Sequence, residues 1–160
     1  MIIISFTKIG KTTFSKNHRN YIDLESQIPD TNFNVINYPE VYAELALSLS
    51  RQGFNVFVPM HPQVLEWIGT HNDTNELVVL CHPSVKLKDE WTDRIFSDFK
   101  ETVLKKAPVA SVVDNVKKMF EPGFNKMIAI AEKHGFRRIE ITSMDYDLGK
   151  LLSVFDKELA

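Results

Sequence analysis

Cysteine is nearly absent from this 160-residue chain, with Cys81 its only representative. One thiol rules out an intramolecular disulfide, and no Cys/His cluster with metal-ligand spacing occurs. Cys81 closes the apolar run 77–81, so a buried thiol in a reducing compartment is expected. An excess of one charge sign is also missing. Nineteen basic and 21 acidic residues leave a net charge of −2, which argues against a dedicated nucleic-acid binder, although a local basic groove remains compatible. No apolar run approaches the roughly 20 residues that span a bilayer. The first residues lack the basic start and long apolar stretch of a signal peptide, so a cytoplasmic protein without membrane contact is expected. Repeats, low-complexity tracts and linkers are absent as well. Residues 1–160 therefore read as a single domain.

What the chain does contain is alternation. Short apolar, β-branched runs at 1–5, 21–24, 55–59, 77–81 and 138–142 are mostly continuous, as in strands covered on both faces of a parallel sheet. Helical patterns lie between them at 11–16, 38–52, 62–70, 86–105, 110–134 and 145–157. In 38–52 the apolar positions are Val41, Leu45, Ala46 and Leu49. Leu87, Trp91, Ile95, Phe99 and Val103 recur about once per turn. Pro122-Gly123 breaks or kinks the run 110–134. Strand–helix alternation implies an α/β three-layer sandwich around a central, mainly parallel five-stranded sheet.

The first run leads into Ser5-Phe6-Thr7-Lys8-Ile9-Gly10-Lys11-Thr12-Thr13. This follows the phosphate-loop pattern G-x-x-x-x-G-K-[ST], with Ser5 in place of the opening glycine. In such a loop, backbone N–H groups wrap a phosphate at the start of a helix. Lys8, Ile9, Gly10, Lys11, Thr12 and Thr13 are the expected phosphate contacts. Gly10 allows close backbone approach, Lys11 reaches the β- and γ-phosphates, and Thr12 gives its hydroxyl to Mg²⁺. Lys8 either adds a phosphate contact or points to solvent.

Further candidates follow the second strand. Asp23 and Glu25 share one side of an extended segment, and the carboxyl ends of strands line the ligand crevice of an open parallel sheet. One carboxylate would hold the metal and the other orient or deprotonate an acceptor hydroxyl. The third strand ends in Pro59-Met60-His61 without a carboxylate, which moves the metal role to Asp23. His61 is either a substrate contact or a loop and capping residue. The segment 83–106 carries Lys86, Lys88, Arg94, Lys100, Lys105 and Lys106 and reads as a possible lid, with Arg94 the phosphate-binding candidate. Trp67 and Trp91 are read as packing residues.

Taken together, Gly10-Lys11-Thr12, Tyr21-Ile22-Asp23-Leu24-Glu25-Ser26, and Leu87-Lys88-Asp89-Glu90-Trp91-Thr92-Asp93-Arg94 after Pro83 give a recognisable order. The chain resembles the small bacteriophage P-loop proteins of the nucleoside monophosphate kinase and adenylate-kinase-like ATPase type, from Met1 to about Leu152. It departs from them at Ser5 and at Thr7-Lys8. The resemblance implies a P-loop NTPase fold of the nucleotide kinase kind, ATP with Mg²⁺, a nucleotide acceptor, and a place in the host cytoplasm for a phage-encoded protein. It places Lys11 and Thr12 on the triphosphate, Asp23, Glu25 and Ser26 near metal or acceptor, and Arg94 in the lid. The expected activity is transfer of the ATP γ-phosphoryl group to a nucleoside monophosphate, with Lys11, Asp23 and Arg94 in catalytic roles. The competing reading is a non-catalytic nucleotide-binding or host-interaction protein. A third, an ATPase or polynucleotide kinase acting on nucleic acid, requires a basic groove that the net charge does not suggest.

Overall fold

The computed structural model describes residues 1–24, 34–97 and 109–159, the side chains of 109–113 excepted. Strands β1 (Ile2–Ser5), β2 (Tyr21–Asp23), β3 (Asn55–Pro59), β4 (Val78–Pro83) and β5 (Arg137–Ile141) form one sheet in the order β2-β3-β1-β4-β5. Every neighbouring pair is parallel. The helices are α1 (Lys11–Asn17), α2 (Pro39–Arg51), α3 (Pro62–His71), α4 (Lys88–Ser97), α5 (Val109–Lys118), α6 (Phe124–Lys133) and α7 (Leu148–Leu152). A π turn at Met119–Gly123 joins α5 to α6, with Glu121 in extended conformation, so the break falls where Pro122-Gly123 placed it.

Side chains alternate across the strands and divide the interior into two cores. Ile2, Ile4, Val56, Val58, Val78 and Leu80 meet Ala43, Leu47, Leu65, Ile68 and Ile130 from α2, α3 and α6. Ile3, Phe57, Val79, Cys81, Ile139 and Ile141 meet Trp91 and Ile95 of α4 and Leu148 and Leu152 of α7. Helices therefore cover both faces of the sheet, which explains why the central strands are apolar without a break. A fully buried Ile or Leu contributes about 1.5–3 kcal/mol through its removal from water. Cys81 lies within the second core, and burial pushes its thiol pKa up to about 12.

Several boundaries differ from the sequence pattern. α2 buries Tyr42, Ala43, Ala46, Leu47 and Ser50, whereas Val41 and Leu45 stay substantially exposed. The small Ala43 and Ala46 seat the helix on sheet and α3, and this close packing outweighs the larger side chains on the adjacent stripe. β4 runs on through His82 and Pro83 because these pair with Glu140 and Ile141 of β5. α7 begins only at Leu148, where the Asp147 carboxylate accepts from the Lys150 N–H at 3.2 Å and caps the helix. α4 keeps the expected face of Trp91 and Ile95. Phe99, Val103 and residues 98–106 of the lid candidate lie outside the described residues.

Topology directs attention to one edge. β1 and β4 are neighbours, yet the chain leaves β1 toward β2 and leaves β4 toward β5. In open α/β sheets the crevice outside the carboxyl ends of such diverging strands receives ligands. The segment from Phe6 to Gly10 begins there, tied down by the Phe6 N–H donating to the Cys81 carbonyl at 3.1 Å.

Candidate functional site

Ser5 is the last residue of β1, paired in register with Pro59 and Cys81, and its hydroxyl is buried without a partner. The loop turns after it. Lys8 has φ 64° and Gly10 has φ 91°, both in the left-handed region. Gly10 precedes α1, and its carbonyl accepts from the Phe14 N–H at 3.0 Å, starting the helix. A side chain at Gly10 would be strained by φ alone, since an added Cβ meets nothing within 4 Å.

This turn forms a cradle of about 350 Å³ lined by Thr7, Lys8, Gly10, Lys11, Thr12 and Thr13. The first turn of α1 carries no acid. Of the expected phosphate contacts, Lys8, Gly10, Lys11, Thr12 and Thr13 are thus brought together. Ile9 differs, because its side chain is buried in the second core and leaves only its backbone to the site.

The Thr12 hydroxyl donates to Asp23 Oδ2 at 2.6 Å, bridging α1 to the end of β2. Asp23 Oδ1 is buried without a hydrogen-bond partner. Such an orphaned carboxylate oxygen beside a hydroxyl suits a cation or a donor ligand. Among the described residues no group of three or more His, Cys, Asp or Glu side chains could hold a metal by itself. Mg²⁺ bound through nucleotide phosphates needs only one or two protein ligands, and Thr12 with Asp23 meets that need. Glu25 and Ser26 lie outside the described residues.

A second, larger cavity of about 520 Å³ adjoins the cradle and shares Lys8, Gly10 and Thr13 with it. Its other walls include Phe14 and Asn17 of α1, His18 just after that helix, Arg94 of α4, and Met144 and Tyr146 after β5. The Phe14 and His18 rings stack at 3.9 Å, and His18 Nδ1 lies 2.9 Å from the Phe14 carbonyl. Nothing in one dimension pointed to Tyr146 or Met144.

Arg94 is anchored at this wall. Its guanidinium donates to the Met144 carbonyl at 3.1 Å and to the Tyr146 hydroxyl at 3.3 Å. It lies 4.8 Å from the Trp91 ring centre and 5.6 Å from that of Tyr146. Burial raises the Tyr146 pKa, and the adjacent Arg94 charge opposes that rise. Trp91 is fully buried, and its indole N–H donates to the Thr7 carbonyl of the loop at 3.1 Å. Trp67 donates to Glu44 and stacks on His71 at the surface of α3.

His61 precedes α3 and caps it with no side-chain bond. Its Nδ1 is buried without a partner, and burial, followed by the nearby Lys126 charge, lowers its pKa. It lines neither the cradle nor the larger cavity.

Compared with known proteins, the chain matches no family model and no curated protein sequence. Among the described residues, no helix is long and apolar enough to cross a membrane.

Proposed function

We propose that the chain is a P-loop protein that binds ATP with Mg²⁺ and transfers the γ-phosphoryl group to a nucleoside monophosphate. One observation supports this reading: the lysine-bearing cradle adjoins, and shares Lys8, Gly10 and Thr13 with, a cavity of about 520 Å³ walled by aromatic rings and Arg94. That volume lies in the range of roughly 300–1,000 Å³ typical of small-molecule sites. The continuity suits a molecule with a polyanionic end and a flat, partly apolar end. Phosphates occupy the cradle, and the nucleoside lies toward Phe14, His18 and Tyr146.

In this reading Lys11 holds the phosphate oxygens, and Thr12 with Asp23 holds the metal. Mg²⁺ held there would supply positive charge to offset that of the phosphates. An acceptor phosphate oxygen attacks the γ-phosphorus while the bond to the β–γ bridging oxygen breaks, and two nucleoside diphosphates result. A phosphate oxygen is already anionic at neutral pH, so this acceptor needs no general base. Arg94 lines the nucleoside cavity, where its planar cation suits a base or a phosphate edge.

Calorimetric titration of ATP, with and without Mg²⁺, tests the cradle. Lys11→Ala is expected to weaken ATP binding about 10- to 100-fold, the worth of a charge-assisted hydrogen bond, with unchanged thermal stability. A coupled assay over the ribo- and deoxyribonucleoside monophosphates then tests transfer. Clear ATP binding without turnover on any acceptor would leave the second reading, a non-catalytic nucleotide-binding or phage–host interaction protein. The engagement of Arg94 by Met144 and Tyr146 favours that alternative, because it restrains the arginine expected to close over the phosphates.

A further inference from the structure

The loop lacks the opening glycine of its pattern, yet it adopts a turn with a non-glycine residue, Lys8, in the left-handed region. For a residue with a Cβ that conformation costs about 1–2 kcal/mol, and it persists where the surroundings impose it. A contact from outside the loop meets this requirement. Trp91 lies on α4, 84 residues along the chain from Thr7, and is fully buried. A buried indole N–H needs an acceptor, and here the acceptor is the Thr7 carbonyl at 3.1 Å. The indole ring is itself held, stacked on Tyr146 at 5.9 Å and with Arg94 over its face.

A trans peptide is planar, and its C=O and N–H point in opposite directions. With the Thr7 carbonyl turned to Trp91, the N–H of Lys8 points away from the indole, and Thr7 and Lys8 both line the cradle. We propose that Trp91 is a positioning residue of the phosphate loop: through the Thr7 carbonyl it sets the Thr7–Lys8 peptide plane so that the Lys8 amide donates to a bound phosphate. Helix α4 thereby supplies an orientation that a glycine-rich loop obtains from its own sequence. The inference deepens the proposed function and rests on the cradle being a phosphate site.

The test uses the full chain, ¹⁵N-lysine labelling and inorganic triphosphate as probe. In the wild type, triphosphate is expected to move the Lys8 amide proton downfield. Trp91→Phe keeps a ring in the core but removes the N–H. It is expected to abolish that shift and to weaken triphosphate binding about fivefold, the worth of one neutral hydrogen bond. A variant that keeps both the shift and the affinity would overturn the proposal, as would wild-type binding that leaves the Lys8 amide unmoved. If Trp91→Phe does not fold, Trp67→Phe leaves Trp91 as the sole tryptophan. Its emission is then expected to change on triphosphate addition, and an unchanged emission with bound probe overturns the proposal. A wild type that binds no triphosphate defeats the phosphate-site reading itself, a result distinct from any effect of the Trp91 substitution.

Discussion

Ser5 shows how a pattern position acquires meaning from its backbone. A glycine is expected there for its freedom of φ, but Ser5 sits in β1 with ordinary strand pairing to Pro59 and Cys81. The left-handed conformations fall later, at Lys8 and Gly10. The demand for glycine is therefore concentrated at Gly10. Gly10→Ala is expected to destabilise the fold by about 1–2 kcal/mol through backbone strain alone, measured as a lower midpoint at unchanged slope in urea unfolding. Its Cβ meets no neighbour within 4 Å, so the effect separates strain from collision.

Gly69 presents the opposite case at the scale of elements. It lies within α3 where that helix packs on the end of α6, and a Cβ there would come within 2.2 Å of the His134 ring. The ring cannot swing away freely, because His134 Nε2 is 2.8 Å from Glu66 Oε2 and the imidazole stacks on Phe136. Lys133 also reaches Glu66, at 3.1 Å. Gly69→Ala is expected to cost about 1–3 kcal/mol by overpacking. The double variant with His134→Ala should cost less than the sum of the two single changes, and a double-mutant cycle of urea midpoints checks this. α2, which also packs on α3, shows what periodicity missed: Ala43 and Ala46 direct its packing and leave Val41 and Leu45 outward.

Across the whole molecule, stability depends on keeping two histidines neutral near the carboxyl edge of the sheet. His82 is buried at the end of β4, with Nδ1 2.8 Å from the Pro83 carbonyl. Burial lowers its pKa; Pro83 and Glu140 oppose that shift, and Arg138 adds to it. His61 is lowered mainly by burial and then by Lys126. Below about pH 6.5, the ordinary histidine value, the unfolded chain binds protons that the folded chain refuses. Stability is therefore complete above that pH and declines as pH falls from 6.5 through the lowered folded pKa values. Thermal unfolding between pH 7.5 and 5 is expected to show a falling midpoint, with a shallower fall in His82→Asn. An equal slope in that variant would remove His82 from the account.

The one-dimensional pattern was sufficient for the five strands, most of the helices and the Gly10-Lys11-Thr12 turn. These depend on local periodicity, on β-branched runs and on glycine at a position that demands positive φ. By itself the chain determined an α/β layering and a lysine-bearing loop after the first strand. Only the tertiary structure decided the strand order β2-β3-β1-β4-β5, the pairing of Thr12 with Asp23, and the convergence of Phe14, Arg94 and Tyr146 on one cavity. It also brought Trp91 onto the Thr7 carbonyl. The reason is physical: periodicity records which face of an element is apolar, whereas the partner of that face is chosen by packing between segments far apart in the chain.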